Sequence, residues 1–332
     1  MADQTDWDSP RRRFPHAEPT PYHEMLRTWS YAWWKPVVGV LLAVVSFFLA
    51  AGLTYLLVVT AGSALESGPF AEDYRRNIDT DNVGPIALLA TNLGLGSMIL
   101  VTWALVRVVH RLRPRWLTSV VPRMRWRLFA TCLGLAVLAL AAQVAVGQLL
   151  PLSGGQDPSG HLNPVTPQLL LTALVVLCTT PLQAAGEEYL FRGYLLMAFG
   201  SFFRSRWVAI GATSVLFAVA HYTQNPPLFL DRLAFGLIAG WLVTRTGGLE
   251  AGIALHVLNN FLAFGVAIFF GDLTSTLTVT EVSWWQLVLT VTQSGVYVGL
   301  VLLVSRWRPP QNRTRPPMQE SDATYGTVTR TV

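Results

Sequence analysis

Two adjacent glutamates, Glu187 and Glu188, with Arg192 four positions on, stand in a stretch otherwise made for hydrocarbon. An ionisable side chain placed there costs about 2.5–3.5 kcal/mol on insertion scales and persists where it serves a function. His221, His256 and Asn260 recur in later apolar stretches. Glu188 and Arg192 have the acid-first i,i+4 order of a helical ion pair. Glu187 lies about 100° round the helix from its neighbour and cannot share that face. Glu188 therefore reads as the partner held by Arg192, and Glu187 as the carboxylate free for chemistry. His256 and Asn260, four apart, face the same way on one helix.

A carboxylate beside a histidine can draw a proton from water as a general base. Asparagine and histidine donors on another helix can stabilise an oxyanion, a contribution of about 3–4 kcal/mol where a single donor has been removed from a protease. These are the parts of a water-activating amide hydrolase. No Gly-x-Ser-x-Gly elbow is present, so an acyl-enzyme serine mechanism lacks its signature. No His-Glu-x-x-His helix is present either. A metal held by Glu187, His221 and His256 stays open chemically. Plainer readings stay open too: the glutamates end a helix at the interface, His221 is interfacial, and His256 with Asn260 is interhelical polar glue.

The elements that must position these groups are membrane helices. The chain has 332 residues, 52% hydrophobic and 13% charged, against about a quarter charged in soluble domains. Apolar stretches at 37–60, 83–106, 128–150, 169–199, 207–220, 228–243, 251–270 and 286–304 approach the roughly 20 residues a crossing needs. This predicts an all-α polytopic bundle of about eight transmembrane helices with a polar site inside it. The stretches 207–220 and 228–243 cross only if their flanks are included. Counted along their helices, Glu187, His221 and Asn260 sit about 24, 22 and 15 Å from the same end, a compatible depth. The run from 169 to 203 is long for one straight crossing, and a kink near Pro181 and Gly186 is expected.

Charge orders the connections. Residues 107–127 carry seven arginines and no acid, whereas 61–82 carry Glu66, Glu72, Asp73, Asp79 and Asp81 against Arg75 and Arg76. Arg204, Arg206, Arg245, Arg306 and Arg308 follow the same alternation. By the positive-inside rule both termini are cytoplasmic in a multi-pass cell-membrane protein. The basic balance of +5 then reflects topology and contact with anionic lipid, and no nucleic-acid partner is expected. Residues 1–35 read as a cytoplasmic disordered tail with an interfacial anchor (Trp29, Trp33, Trp34), 36–308 as the membrane bundle, and 309–332 as a second disordered tail. Asp231 and Arg232 read as an ion pair at the outer interface, although either can line a cavity. Cys132 and Cys178 read as buried small apolar residues, and Trp241 as packing.

Three motifs resemble the CPBP family, which includes the CAAX prenyl proteases and the Abi-type bacteriocin self-immunity proteins. Glu-Glu-x-x-x-Arg is met by Glu187 to Arg192, Phe-x-x-x-His by Phe217 to His221, and His-x-x-x-Asn by His256 to Asn260. The similarity covers about 181–261, within a core of about 167–270. It implies an intramembrane glutamic endopeptidase in which Glu187 activates water with help from His221. It further implies that Glu188 and Arg192 shape the site and that His256 and Asn260 form the oxyanion hole. No cofactor is implied, and the partners are a protein or peptide substrate at the membrane and the bilayer itself. The alternatives are a non-catalytic membrane scaffold or immunity protein acting by binding, and a transporter with a proton relay.

Overall fold

A computed structural model describes residues 15–150, 162–221, 225–271, 273–277, 279 and 282–315. Those residues build a helical bundle. The long helices are α1 (Trp34–Leu65), α3 (Pro85–Gly96) running into α4 (Met98–Val108), α5 (Trp126–Gly147), and α6 (Pro167–Glu188) continuing through a π-helical turn, Tyr189–Leu195, into α7 (Leu196–Phe203). They are followed by α8 (Arg206–Ala220), α9 (Pro226–Thr246), α10 (Glu250–Phe270) and α12 (Trp285–Trp307). Short helices α2 (Phe70–Asn77) and α11 (Leu273–Leu277) lie between α1 and α3 and between α10 and α12.

Local chemistry sets the starts. Pro85, Pro167 and Pro226 stand at the first turn, where the missing N–H costs nothing. The Thr166, Ser205 and Asn225 side chains accept the first backbone N–H bonds of α6, α8 and α9. Leu41, Phe48 and Leu49 on α1 and Leu171 and Leu174 on α6 point outward, as lipid-facing positions do in a bundle whose backbone bonds close within each helix.

Among the described residues seven helical runs are long and apolar enough to cross a membrane, and α8, with 15 residues, is shorter. The chain ends decide how α8 counts. Pro21 bridges Arg313, and the Thr314 N–H donates to the Thr20 carbonyl, so residues 20–21 and 313–314 lie on one face. That placement fits an even number of passes, with α8 as a short eighth beside the seven longer runs. The α4–α5 connection joins the same face, because the Val120 N–H donates to the Gly247 carbonyl and Arg125 to the Gln311 carbonyl. The basic connections are thus gathered at one end of the bundle.

The expectation for the tails is corrected. Residues 15–33 do not behave as a tail. Tyr22, Met25 and Leu26 are buried in the main core, the Tyr22 hydroxyl donates to the Leu117 carbonyl, and Arg27 donates to the Ser201 carbonyl. Residues 309–315 are likewise held, with Thr314 buried; 1–14 and 316–332 of the two expected tails lie outside the described residues. Apolar side chains spaced through a polar stretch found a pocket at the bundle end, which composition alone does not reveal. The long run carries an irregularity of its own. Gly186 marks a close crossing, since a Cβ there would fall 2.2 Å from the Leu95 carbonyl oxygen. The irregular turn comes after the glutamates, at Tyr189–Leu195. Cys132 is buried as expected, whereas Cys178 is exposed on the bundle surface.

Candidate active site

The site forms where α6 meets α10, with α8, α9 and α12 closing the sides. Helix α6 packs on α3 and α10, and α9 on α8 and α12. Its glutamates end the α-helical part of the run, and the π turn begins at the next residue. Such turns widen a helix by one residue and recur at functional positions.

Glu188 is the hub. Its Oε1 accepts from Arg192 Nη1 at 2.9 Å and from His256 Nδ1 at 2.9 Å. Because a carboxylate only accepts, Nδ1 of His256 carries hydrogen. The i,i+4 pair expected from the sequence is therefore present, and it has gained a histidine from α10. Gly252, one turn before His256, makes room, since a Cβ there would stand 2.7 Å from Glu188 Oε2. Arg192 is 1% exposed. Its guanidinium lies 4.1 Å from the Phe217 ring centre and 5.5 Å from that of Phe235, a cation–π arrangement that partly replaces water around a buried charge.

Glu187 points elsewhere, as its helical angle requires. Its Oε1 accepts from Gln183 Nε2 at 2.6 Å, its Oε2 lies 3.7 Å from His256 Nε2, and Oε2 has no hydrogen-bond partner among the described residues. Gln183 in turn accepts from Asn260 Nδ2 at 2.9 Å. One chain of contacts thus joins α6 to both motif residues of α10. His221, just past the end of α8, donates Nδ1–H to the Phe217 carbonyl at 2.7 Å. A carbonyl can only accept, so in the neutral ring Nε2 is left as the acceptor.

Glu187, His221, His256 and Asn260 line one cavity of about 120 Å³ together with Asp231 and Thr290. That volume accommodates a few water molecules. The expected Asp231–Arg232 pair is present at 2.8 Å, and of the two placements left open it is the cavity wall that holds it, with Asp231 buried and bonded to the Thr290 hydroxyl. Gln183 and Thr290 went unnoticed as site residues. Gln183 was within reach, being one turn before Glu187 on the same face; Thr290 depends on a helix rotation that only packing fixes. Among the described residues no three His, Cys, Asp or Glu side chains are placed to share a metal ion.

The fold and this cavity define a polytopic helical membrane protein with an ionisable pocket inside its bundle. Residues 167–262 match the family model described as Type II CAAX prenyl endopeptidase Rce1-like. The matched stretch, about three tenths of the chain, contains all three motifs. The uncharacterized protein YyaK of Bacillus subtilis (strain 168) is 30% identical over 146 residues, which is 40% of this chain and 48% of that protein. The chain thus spans about half the length of that curated relative. No solved structure gives a significant match.

Proposed function

We propose that this protein is an intramembrane endopeptidase that cleaves a peptide bond with water activated by Glu187. The observation that carries the reading is the second oxygen of Glu187, buried, without a hydrogen-bonding partner among the described residues, and placed at a cavity shared with two histidines and an asparagine. Glu187 takes a proton from water while the water oxygen bonds to the scissile carbonyl carbon. The oxyanion that forms accepts from Asn260, whose second amide hydrogen is not used by Gln183, and from His256 Nε2–H when that ring is charged. The proton on Glu187, relayed by His221, then passes to the departing nitrogen as the C–N bond breaks. Products are a carboxylate and an amine.

Glu188 and Arg192 do not touch the reacting atoms in this scheme. They fix the ring of His256 and so set the direction of its Nε2. The family match supports a peptide substrate presented at the membrane, and the basic face supports cytoplasmic termini. No cofactor is assigned. Cleavage that survives chelation is expected; loss on chelation with recovery by a divalent ion would transfer water activation to a metal.

The direct test uses the full chain in proteoliposomes with a quenched membrane-anchored peptide library. Cleavage is expected for the parent and absent for Glu187→Gln at equal folded yield. Undiminished cleavage by that variant would remove Glu187 as the base. A scaffold or immunity protein acting by binding would keep its partner through the same substitution.

A further inference from the structure

We propose that a basic recess between the end of α4 and the start of α5 is a binding site for a phosphate-bearing anion, supplied by an anionic phospholipid headgroup or by free phosphate. The recess has a volume of about 550 Å³, and its walls include Arg107, Arg113, Arg115 and Arg123, with Trp103 and Met124. No carboxylate is among its described lining residues. Arginine is the side chain best matched to phosphate, through paired N–H donors that meet two oxygens at once.

The neighbouring Arg125 shows what a structural arginine looks like in this connection. It turns inward and is consumed by Glu250 and by two backbone carbonyls. Arg115 and Arg123 are exposed, and no ion pair among the described residues involves them. Arg115 and Arg123 thus set two like charges at one hollow, which repel each other, and an anion between them relieves that cost.

The backbone carrying them is fixed before any ligand arrives. Pro114–Leu117 forms a 3-10 turn with Trp116 and Leu117 buried. Ser119 bridges Gly248 and closes a local bond to Val121. Cations held by such a frame lose little freedom on binding. Position completes the case. Arg107 ends a membrane helix, Arg123 precedes the next, and Trp103 is partly exposed one turn inside the bundle end. A headgroup in the recess would have its acyl chains beside Trp103, and basic pockets at helix ends are where anionic lipids are recognised.

The test measures binding to the purified full chain and does not depend on proteolysis. Native mass spectrometry in neutral detergent follows retention of phosphatidylglycerol, and calorimetry follows inorganic phosphate and glycerol phosphate. Arg115→Gln/Arg123→Gln removes two charges from the recess; Arg111→Gln/Arg127→Gln removes two exposed charges outside it. Saturable binding is expected, weakened about tenfold or more, or 1.4 kcal/mol, in the first pair and nearly unchanged in the second. Retention of the lipid alone identifies a headgroup site, and binding of the soluble anions with the same variant dependence identifies a free-phosphate site. Absence of saturable binding in every arm, or equal weakening in the two double variants, overturns the proposal.

Discussion

Two buried carboxylate–arginine pairs hold this bundle, one at its basic end and one within it. Glu250 receives the Arg125 backbone N–H and Nε on one oxygen, at 3.0 and 2.7 Å, and Nη2 on the other, at 2.7 Å. Arg125 Nη1 then reaches the Thr246 and Gln311 carbonyls. Glu188 receives Arg192 and His256 on a single oxygen, while its Oε2 and Arg192 Nη2 have no partner among the described residues. A pair that is saturated can only support structure. A pair left incomplete beside a polar cavity keeps its charges available to orient other groups. The difference separates a clasp from the candidate site, using the same two residue types.

The comparison is broken most sharply at the candidate site. Glu187→Gln should lower cleavage by about 10²–10⁴-fold, the usual worth of a positioned general base, with the melting temperature almost unmoved. An equal loss of stability would make Glu187 another clasp. At the other pair the effects exchange places. Glu250→Gln leaves the Arg125 guanidinium short of its counter-charge, a change of about 3–5 kcal/mol, read as a lower melting temperature in detergent. Cleavage per folded molecule should hold steady.

Arg192→Lys sharpens the contrast with a smaller effect. The ammonium keeps the charge but loses the plane that lies against Phe217 and Phe235. A loss of about 1.5–3 kcal/mol, typical of a hydrogen bond to a charged group, should appear in kcat more than in KM, because His256 is misdirected. Arg125→Lys should affect only stability.

The smallest effect is set by pH and involves the basic end alone. Burial, with Lys35 adding to it, holds the His110 imidazole down to about 4 from its ordinary 6.5; burial lowers His16 as well. The folded state keeps His110 neutral, whereas the unfolded chain takes up a proton below about 6.5. Its stabilising share is therefore complete above about pH 6.5 and declines as pH falls toward 4. From about pH 6.5 to about pH 5 the loss is about 2 kcal/mol. Thermal unfolding of the parent against His110→Gln should show the slope flatten in the variant.

Much of the site was legible because its parts are local. Glu187 to Arg192 and His256 to Asn260 each lie within a turn or two of one helix, and the spacing alone gives their faces. The apolar runs gave the membrane helices, and the arginine alternation gave the common face of the connections. What escaped depends on distant contacts. The choice between interface and cavity for Asp231 stayed open because nothing nearby in sequence discloses that Thr290, on α12, bonds to it. The segment 15–33 looked unstructured because its anchors, Tyr22, Met25 and Leu26, are few among polar residues. Their host is the far end of α7 and the 114–117 turn. The π turn after Glu188 is a tertiary adjustment with no residue of its own to announce it.

The seam at which Thr20 meets Thr314 makes the polypeptide nearly circular in a mechanical sense. Gln311, three residues before that meeting point, also supplies an acceptor to Arg125. A protease that trimmed the carboxyl end to residue 310 would thus unfasten the amino-terminal strap and take an acceptor from the Glu250 clasp in a single cut. The farthest-separated parts of the sequence would loosen before any membrane helix moved.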